Sequence, residues 1–508
     1  MRRTLVASAA AAALAVAVLP NAGSAAGETQ TYLVLYRQEA VPGDAASAIS
    51  RAGGTVVASW PEIGVVTVRS ASTTFAATLR RDGRVEGVAP TAPYAIAIGA
   101  TDRADALDAQ PGDLPNAPAG QDPLAPLQWD MRQIHAPEAN AVTGGSSAVV
   151  VGDIDTGLDK DHPDLKPNID FSNSVSCESG APNTDPNAWD DRNGHGTHTA
   201  GTIAAAANGI GITGVAPNVR LAGIKSSNDA GYFFPEMVVC SFMWAGLRGL
   251  DVTNNSYFAD PWRLNCRNDA VQRAIWKAEM RAIRFAMREG TVVVSSDGNE
   301  NEDMDHPTTD DQSPDYPPGS EVERDVTNAC VKVPVEVPGV IGVSAVGNNR
   351  DPENGGYLKS YYSSYGQSVT DVTAPGGDSV YGRNPQAVNG RVLSTYPAEL
   401  PCSRRVVDPV QPAVAYCYLQ GTSMASPHAA GVAALIVSVY GDLDSPDNGY
   451  LRPTQVEALL ENTATPQDCP TGDPFRAGTI DESYCRGGFG HNGFYGNGQV
   501  DALAAITR

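Results

Sequence analysis

A mainly parallel, doubly wound α/β sheet flanked by helices, preceded by a small α+β unit, is the fold class that the sequence predicts. Two patterns carry the prediction. From 125 to 508, short apolar runs alternate with segments of helical period, which is how strands joined by crossover helices read. Before that, residues 27–97 hold strand and helix patterns of their own. Residues 98–124 are dominated by Asp, Ala, Pro and Gly with little periodicity and read as a linker. In a doubly wound sheet the ligand crevice lies beyond the carboxyl ends of the strands, so chemistry is sought there.

The elements follow in chain order. Met1-Arg2-Arg3 is a short positive start, Leu5 to Leu19 is almost wholly Ala, Val and Leu, and Gly23-Ser24-Ala25-Ala26 supplies small residues. That is the pattern of a secretory signal peptide over 1–26. Its apolar run is about 15 residues, short of the roughly 20 that a membrane-spanning helix needs. No later stretch reads as long and apolar enough to span a bilayer, so a soluble, secreted, extracellular chain is expected. In the 27–97 unit, Thr31–Tyr36, Gly64–Val68 and Val85–Ala89 read as strands, and Ala45–Ala52 and Phe75–Arg81 as helices. A signal peptide, a small unit and a joint suggest a removable pro-segment. Beyond the linker, strand candidates are Ala148–Ile154, Val219–Ile224, Asp251–Asn254, Thr291–Val294 and Val340–Val346. The clearest helix places Val271, Ile275, Ala278, Ala282 and Phe285 on one face and ends at Gly290.

Composition narrows the function. Of 508 residues, 42% are hydrophobic and 18% charged, enough for packed cores. Lys and Arg total 35 against 58 Asp and Glu, a net charge of −23. Phosphate neutralisation needs the opposite balance, which excludes a nucleic-acid binder, and an anionic membrane surface would repel the chain. Eight cysteines without any CxxC give no support to a zinc ribbon, whereas secretion favours disulfides. Loop length puts Cys402–Cys417 and Cys469–Cys485 first, then Cys240–Cys266, which leaves Cys177–Cys330.

Three segments carry chemistry, in the order Asp, His, Ser. Val149 to Gly157 is a buried-type strand that ends in Asp155 and a tight turn. Asn193 to Gly201 puts His195 behind a glycine at a helix start, and Gly421 to His428 puts Ser423 at the mouth of an Ala- and Val-rich helix running to Tyr440. A serine hydroxyl is a poor nucleophile until a base removes its proton. Histidine suits that task, and a buried carboxylate fixes its tautomer. At the first turn of a helix, unpaired N–H groups can face a developing oxyanion. A fourth segment, Thr291 to Asn299, is a strand leading into Gly298-Asn299, whose amide is a side-chain donor for the same purpose.

At these residues the chain resembles the subtilisin-like serine peptidases. The resemblance rests on Asp155-Thr156-Gly157, His195-Gly196-Thr197-His198-Thr199-Ala200-Gly201, Gly298-Asn299 and Gly421-Thr422-Ser423-Met424-Ala425-Ser426-Pro427-His428, and it covers about 125–508. It implies a catalytic triad of Asp155, His195 and Ser423, with Asn299 as the oxyanion donor. It also implies that the 27–97 unit is a propeptide, acting as folding chaperone and intramolecular inhibitor. Substrates would be proteins or peptides, no cofactor is required, and a monomer is expected.

Other readings compete on the same residues. His195, His198 and His162 suggest a metal group, yet no acidic partner stands at zincin spacing, so no catalytic metal is expected; His162 and His428 read as structural. Gly209 to Gly214 spells GxGxxG but follows a helix rather than a strand and reads as a loop. Ala425 breaks the lipase GxSxG pattern.

Three departures from the family pattern bear on substrate. Asn255-Ser256-Tyr257-Phe258 stands where Ser-Leu-Gly is usual, on the segment 251–256 against which a peptide is expected to pair as an extended strand. Asp297 precedes Gly298 where a small residue is usual and either favours a basic side chain before the cut bond or points away from the pocket. The insert 300–325 is rich in Asp and is either a calcium site or a solvated loop. A non-catalytic binding protein and an esterase are the rival functions.

Overall fold

In the computed structural model the described residues are 28–91, 122–260, 262–314, 319, 321–380, 387–444, 449–472 and 474–508. The signal segment 1–26, residues 92–97 and most of the linker lie outside them.

Period-two alternation explains the N-terminal unit. Its strands β1 (Gln30–Tyr36), β2 (Gly54–Trp60), β3 (Val65–Ser70) and β4 (Val85–Pro90) form an antiparallel sheet in the order β2-β3-β1-β4. Side chains alternate across such a sheet, so each strand has two faces. Val34, Tyr36, Val66, Val68 and Val88 pack inward on the helices α1 (Ala45–Arg51) and α2 (Phe75–Leu79) through Ile49, Phe75 and Leu79. Leu33, Leu35, Val65 and Ala89 face the other way and join a cluster with Phe233, Val238 and Ala274 of the following domain. The sequence pattern missed β2, whose half-exposed residues show little apolar alternation.

The second domain opens with short helices α3 (Trp129–Gln133) and α4 (Ala136–Val142). It then alternates β5 (Val150–Asp155), β6 (Val175–Ser176), α5 (His195–Ala204), β7 (Arg220–Lys225), α6 (Pro235–Leu247), β8 (Val252–Asn255), α7 (Ala270–Arg288) and β10 (Val292–Ser296). Between β8 and α7, β9 (Asn265–Cys266) pairs with the later β13 (Cys330–Val331), and the acidic insert holds β11 (Thr309–Asp310) and β12 (Arg324–Asp325). The main sheet has eight strands, β15-β14-β10-β8-β5-β7-β6, with β16 beside β14. Here β14 is Ile341–Arg350, β15 Tyr357–Lys359 and β16 Thr370–Pro375. Every pairing in it is parallel except β14 with β15. The doubly wound, mainly parallel reading holds. The α7 pattern is also as expected: Asp269 caps it by accepting from Val271 N and Gln272 N, each at 2.9 Å.

A smaller sheet, β17 (Val392–Tyr396), β19 (Ala415–Leu419) and β18 (Arg405–Val407), lies against α5. It leads into α8 (Thr422–Tyr440), the core helix, which is followed by α9 (Pro453–Thr463). By length and composition α8 is apolar enough to cross a membrane, contrary to the expectation from sequence. It is apolar because it is buried from Thr422 to Val437 inside the domain.

One boundary and two bonds are corrected. Residues 122–124 belong to the domain rather than to a linker: Leu124 is buried, and Asp122 accepts from Gly209 N at 2.7 Å. The Gly209–Gly214 loop gives its amides to carboxylates, Gly209 to Asp122, Gly211 to Asp408 and Ile212 to Asp164. Cys402–Cys417 and Cys469–Cys485 form as expected, but the others are Cys177–Cys240 and Cys266–Cys330. The β9–β13 ladder sets Cys266 directly opposite Cys330, which loop length alone does not reveal. Peptide mapping of the non-reduced protein should recover Cys177 linked to Cys240 and Cys266 linked to Cys330. A fragment joining Cys240 to Cys266 would contradict the fold.

Candidate active site

The carboxyl ends of β5, β8 and β10 and the amino ends of α5 and α8 meet in one place. Asp155 closes β5 and is fully buried. Its Oδ1 accepts from His195 Nδ1 at 2.8 Å and from Thr156 N at 2.7 Å. The imidazole therefore carries its proton on Nδ1, and Nε2 is left as the basic nitrogen. Burial opposes the imidazolium, but the Asp155 charge and hydrogen bond outweigh it and raise the pKa of His195 above its ordinary value.

Asp191 holds this pair in place. Its Oδ1 accepts from Thr156 Oγ1, Asn193 N and Gly194 N, and its Oδ2 from Thr197 N and Thr197 Oγ1, all at 2.6–3.0 Å. One carboxylate thus satisfies orphan donors of the first turn of α5 and ties them to the turn after Asp155. Gly194 sits at φ +100°, where a Cβ would meet the Tyr396 ring within 2.6 Å, and the Tyr396 hydroxyl donates to Asn193 O at 3.3 Å. From the small sheet, Thr395 Oγ1 donates to Thr197 O at 2.6 Å and His198 Nε2 to Cys417 O at 2.9 Å. Burial pushes His198 down to about 3 and His162, bonded to Ala415 O, down to about 4. Both rings are neutral struts. His428 bonds Met424 O and the buried Asp130.

Ser423 is the second residue of α8, where a backbone N–H has no partner within the helix. Its Oγ donates to Ser256 O at 3.1 Å, and Ser256 Oγ donates back to Ser423 O at 3.1 Å. His195 Nε2 is buried without a hydrogen-bond partner among the described residues. Aspartate and histidine are thus in contact, while the serine hydroxyl rests on a carbonyl.

The amide of Asn299 is oriented by Thr422, whose N and Oγ1 donate to Asn299 Oδ1 at 2.8 and 3.0 Å. Its Nδ2 has no partner among the described residues. Gly298 is required before it: at φ +107°, a Cβ would lie 2.5 Å from Lys332 Nζ. That lysine is buried and holds the turn by donating to Asp297 O at 3.0 Å and Glu300 Oε2 at 2.8 Å. Burial disfavours the Glu300 carboxylate, but Lys332 and Arg263 prevail and bring it down to about 2.

Two sequence candidates do not reach the cleft. Asp297 is fully buried, accepts from Thr370 Oγ1 at 2.6 Å, and is pushed up to about 7 by burial, which favours the reading in which it points away from a pocket. Asn255 is also buried, donating to Val294 O at 3.0 Å. Its strand β8 is hydrogen-bonded to β5 on one side and β10 on the other, so 252–255 offer no free edge to a peptide. Of the four substrate candidates, Ser256 and Gly298 remain at the site. Sequence reasoning missed Asp191 and Asp153. An Asp just before a helix start is a capping signal, and a charged residue inside an apolar strand run is a signal of its own.

Residues 146–498 match the subtilase family. The chain belongs to the subtilase family. Subtilisin DY of Bacillus licheniformis is 34% identical over 317 residues, spanning 62% of this chain and 84% of that protein. Subtilisin Savinase of Lederbergia lenta is 28% identical over 379 residues, 75% of this chain and 98% of that one. Among solved structures, the epidermin leader peptide processing serine protease of Staphylococcus aureus aligns with a TM-score of 0.65 at 21% identity, covering 94% of this chain and 98% of that chain. That likeness is one of fold. This subtilase is a serine peptidase, a hydrolase acting on proteins or peptides.

In this subtilase Asp191→Ala removes the contacts between the Asp155 turn and α5. Peptide hydrolysis is expected to fall about 10²-fold, the scale of a misplaced catalytic group. Loss of the cap should also destabilise the fold by about 1 kcal/mol. Steady-state kinetics and thermal melting check both.

Proposed function

We propose that this subtilase is a secreted serine endopeptidase, made as a self-processing zymogen, in which Asp155, His195 and Ser423 form the triad. The observation that carries the reading is the 2.8 Å contact of Asp155 Oδ1 with His195 Nδ1, which leaves Nε2 as a free base. Nε2 takes the Ser423 proton as the hydroxyl oxygen attacks the substrate carbonyl. The oxyanion is met by Ser423 N, at the positive end of α8, and by Asn299 Nδ2, which Thr422 holds outward. His195 then passes the proton to the leaving amine, and water hydrolyses the acyl-enzyme by the same route in reverse.

The N-terminal unit is proposed as the propeptide and inhibitor, with cleavage in the 98–124 segment. Its support is the seam already described, together with Arg281 of α7. That side chain is buried and donates to Tyr36 O at 3.0 Å, Ile63 O at 3.3 Å and Glu86 Oε2 at 2.6 Å, while Lys277 also pairs with Glu86. At the end of the unit Thr91 is buried and hydrogen-bonds the Glu236 carboxyl.

Three described carboxylates of the acidic insert are engaged by other groups. Asp310 is paired with Arg263 and Arg324, Asp303 with His306, and Asp305 accepts from Gln367 N and Ser368 N. Their oxygens already meet guanidinium, imidazole and amide groups, and no step is assigned to a metal there.

Casein cleavage tests the reading and separates it from a binding protein or an esterase: Ser423→Ala should abolish it. Asn299→Ala should retain substrate affinity and lose turnover by about 10²–10³, the scale measured for the oxyanion asparagine of a subtilisin itself. Hydrolysis needs a neutral Nε2, so the rate falls as pH drops through the His195 pKa. With that pKa raised, the acid limb should centre above the ordinary value of about 6.5. Arg281→Ala should weaken the complex of processed enzyme with its N-terminal unit by tenfold or more, roughly the cost of truncating a buried charged partner. A shorter lag before full activity would register it.

A further inference from the structure

A second carboxyl lies inside the site, and the triad chemistry does not use it. Asp153 stands two residues before Asp155 on β5 and is buried. Its Oδ1 accepts from Asn254 Nδ2 at 2.8 Å, and its Oδ2 lies 2.7 Å from Thr199 Oγ1 on α5, one turn after His195. Asn254 in turn accepts from Ser426 Oγ at 2.7 Å and donates to Ser256 Oγ at 3.0 Å, the same Ser256 that holds Ser423. Asp153 therefore sits where the histidine helix, the Ser256 strand and the serine helix are joined.

Proton counting leaves room for a proton on it. Thr199 Oγ1 lies within reach of three acceptors: Asp153 Oδ2 at 2.7 Å, Gly196 O at 3.0 Å and His195 O at 3.4 Å. A hydroxyl has one proton to give. When Thr199 gives it to Gly196 O, the helical back-bond usual for threonine, the 2.7 Å contact is satisfied by a proton on Asp153. One oxygen then donates and the other accepts, so the carboxyl is fully used. The charges facing it agree. Asp155 stands on its own strand and His195 on α5, while β8 presents Asn254, β7 presents Gly223 beside it, and α8 reaches it through Ser426. Two buried carboxyls beside one imidazole do not both ionise, because the second charge is desolvated and repelled by the first. Asp155 takes the imidazole N–H. Burial and the Asp155 charge accordingly raise the Asp153 pKa well above the ordinary carboxylate range.

We infer that Asp153 works as a neutral carboxylic acid, a positioning residue whose O–H holds Thr199 and whose carbonyl oxygen holds Asn254, so that Asp155 alone of the two acts as a carboxylate on His195. The inference rests on His195 serving as the base. It assigns the site a pair of unlike carboxyls, one charged to stabilise the imidazolium and one neutral to fix α5 against β8.

The test uses the mature enzyme and a short peptide anilide across the pH range. Asp153→Val makes neither bond and should lower kcat about tenfold or more with KM little changed. Asp153→Asn offers a donor and an acceptor in the same places and should restore kcat to within a few-fold of wild type, without moving the acid limb. A limb in Asp153→Asn displaced downward by about one pH unit would show that Asp153 had placed charge on His195 and would overturn the inference. Unchanged kcat in Asp153→Val would overturn the positioning role. An infrared difference spectrum between wild type and Asp153→Asn at neutral pH reads the proton directly. The carbonyl band of a protonated carboxylic acid should be present in wild type and lost in the variant, and its absence from wild type overturns the inference even where Asp153→Val does not fold. That band is independent of which group is the base. His195→Ala tests the base, since retained hydrolysis there would fail the triad reading and leave the band untouched.

Discussion

The hydrogen bond from His195 to Asp155 joins the last residue of a strand to the first residue of a helix 40 positions later. Nothing local brings those two together. The strand must be central in a parallel sheet so that its carboxyl end faces the crevice, and the helix must return across the sheet with its first turn at the same end. The Asp191 carboxylate converts that arrangement from proximity into contact. It fills donors that the start of α5 cannot satisfy internally and anchors the Asp155 turn through Thr156. The small β17–β19 sheet closes the arrangement from the other side, with Tyr396 against Gly194 and Cys417 O taking the His198 proton.

The same logic governs the oxyanion side. Asn299 is useful only if its amide nitrogen points outward, and Thr422, the first residue of α8, ensures this by donating twice to the amide oxygen. The buried Lys332 holds the turn beneath it and meets Glu300, so an ion pair inside the fold keeps a neutral donor in place at the surface of the cleft. Such a pair is poor as a source of stability because both charges lose water, and it is better understood as fixing geometry.

The four side chains proposed to react were legible because each lies in a short segment whose local form suffices: strand end, helix start, Gly-Asn turn, helix mouth. Residues whose role depends on facing were not legible. Asp297 and Asn255 stand near the proposed reactive positions in sequence, yet both side chains are buried, Asp297 against Thr370 and Asn255 against Val294. Two of the four cysteine pairings failed for a related reason. Cys266 and Cys330 are 64 positions apart but opposite each other across a two-strand ladder, and only topology reveals that. The apolar α8 misled in the other direction, since hydropathy cannot distinguish a helix wrapped in protein from one wrapped in lipid.

The N-terminal unit shows what a fully apolar strand means in a small sheet. Five consecutive residues of β1, Tyr32 to Tyr36, are buried, so both of its faces are covered. One face is covered by the unit's own helices, and the other by Phe233, Val238 and Ala274 of the peptidase domain. A sheet with two apolar faces and two short helices cannot bury both by itself. With Leu33 and Leu35 exposed, the isolated unit would present an unpaired apolar face to water. The contact with the peptidase domain thus completes the core of the unit as well as joining the two, and Arg281, bonded at once to Tyr36 O, Ile63 O and Glu86, sets the register in which that completion occurs.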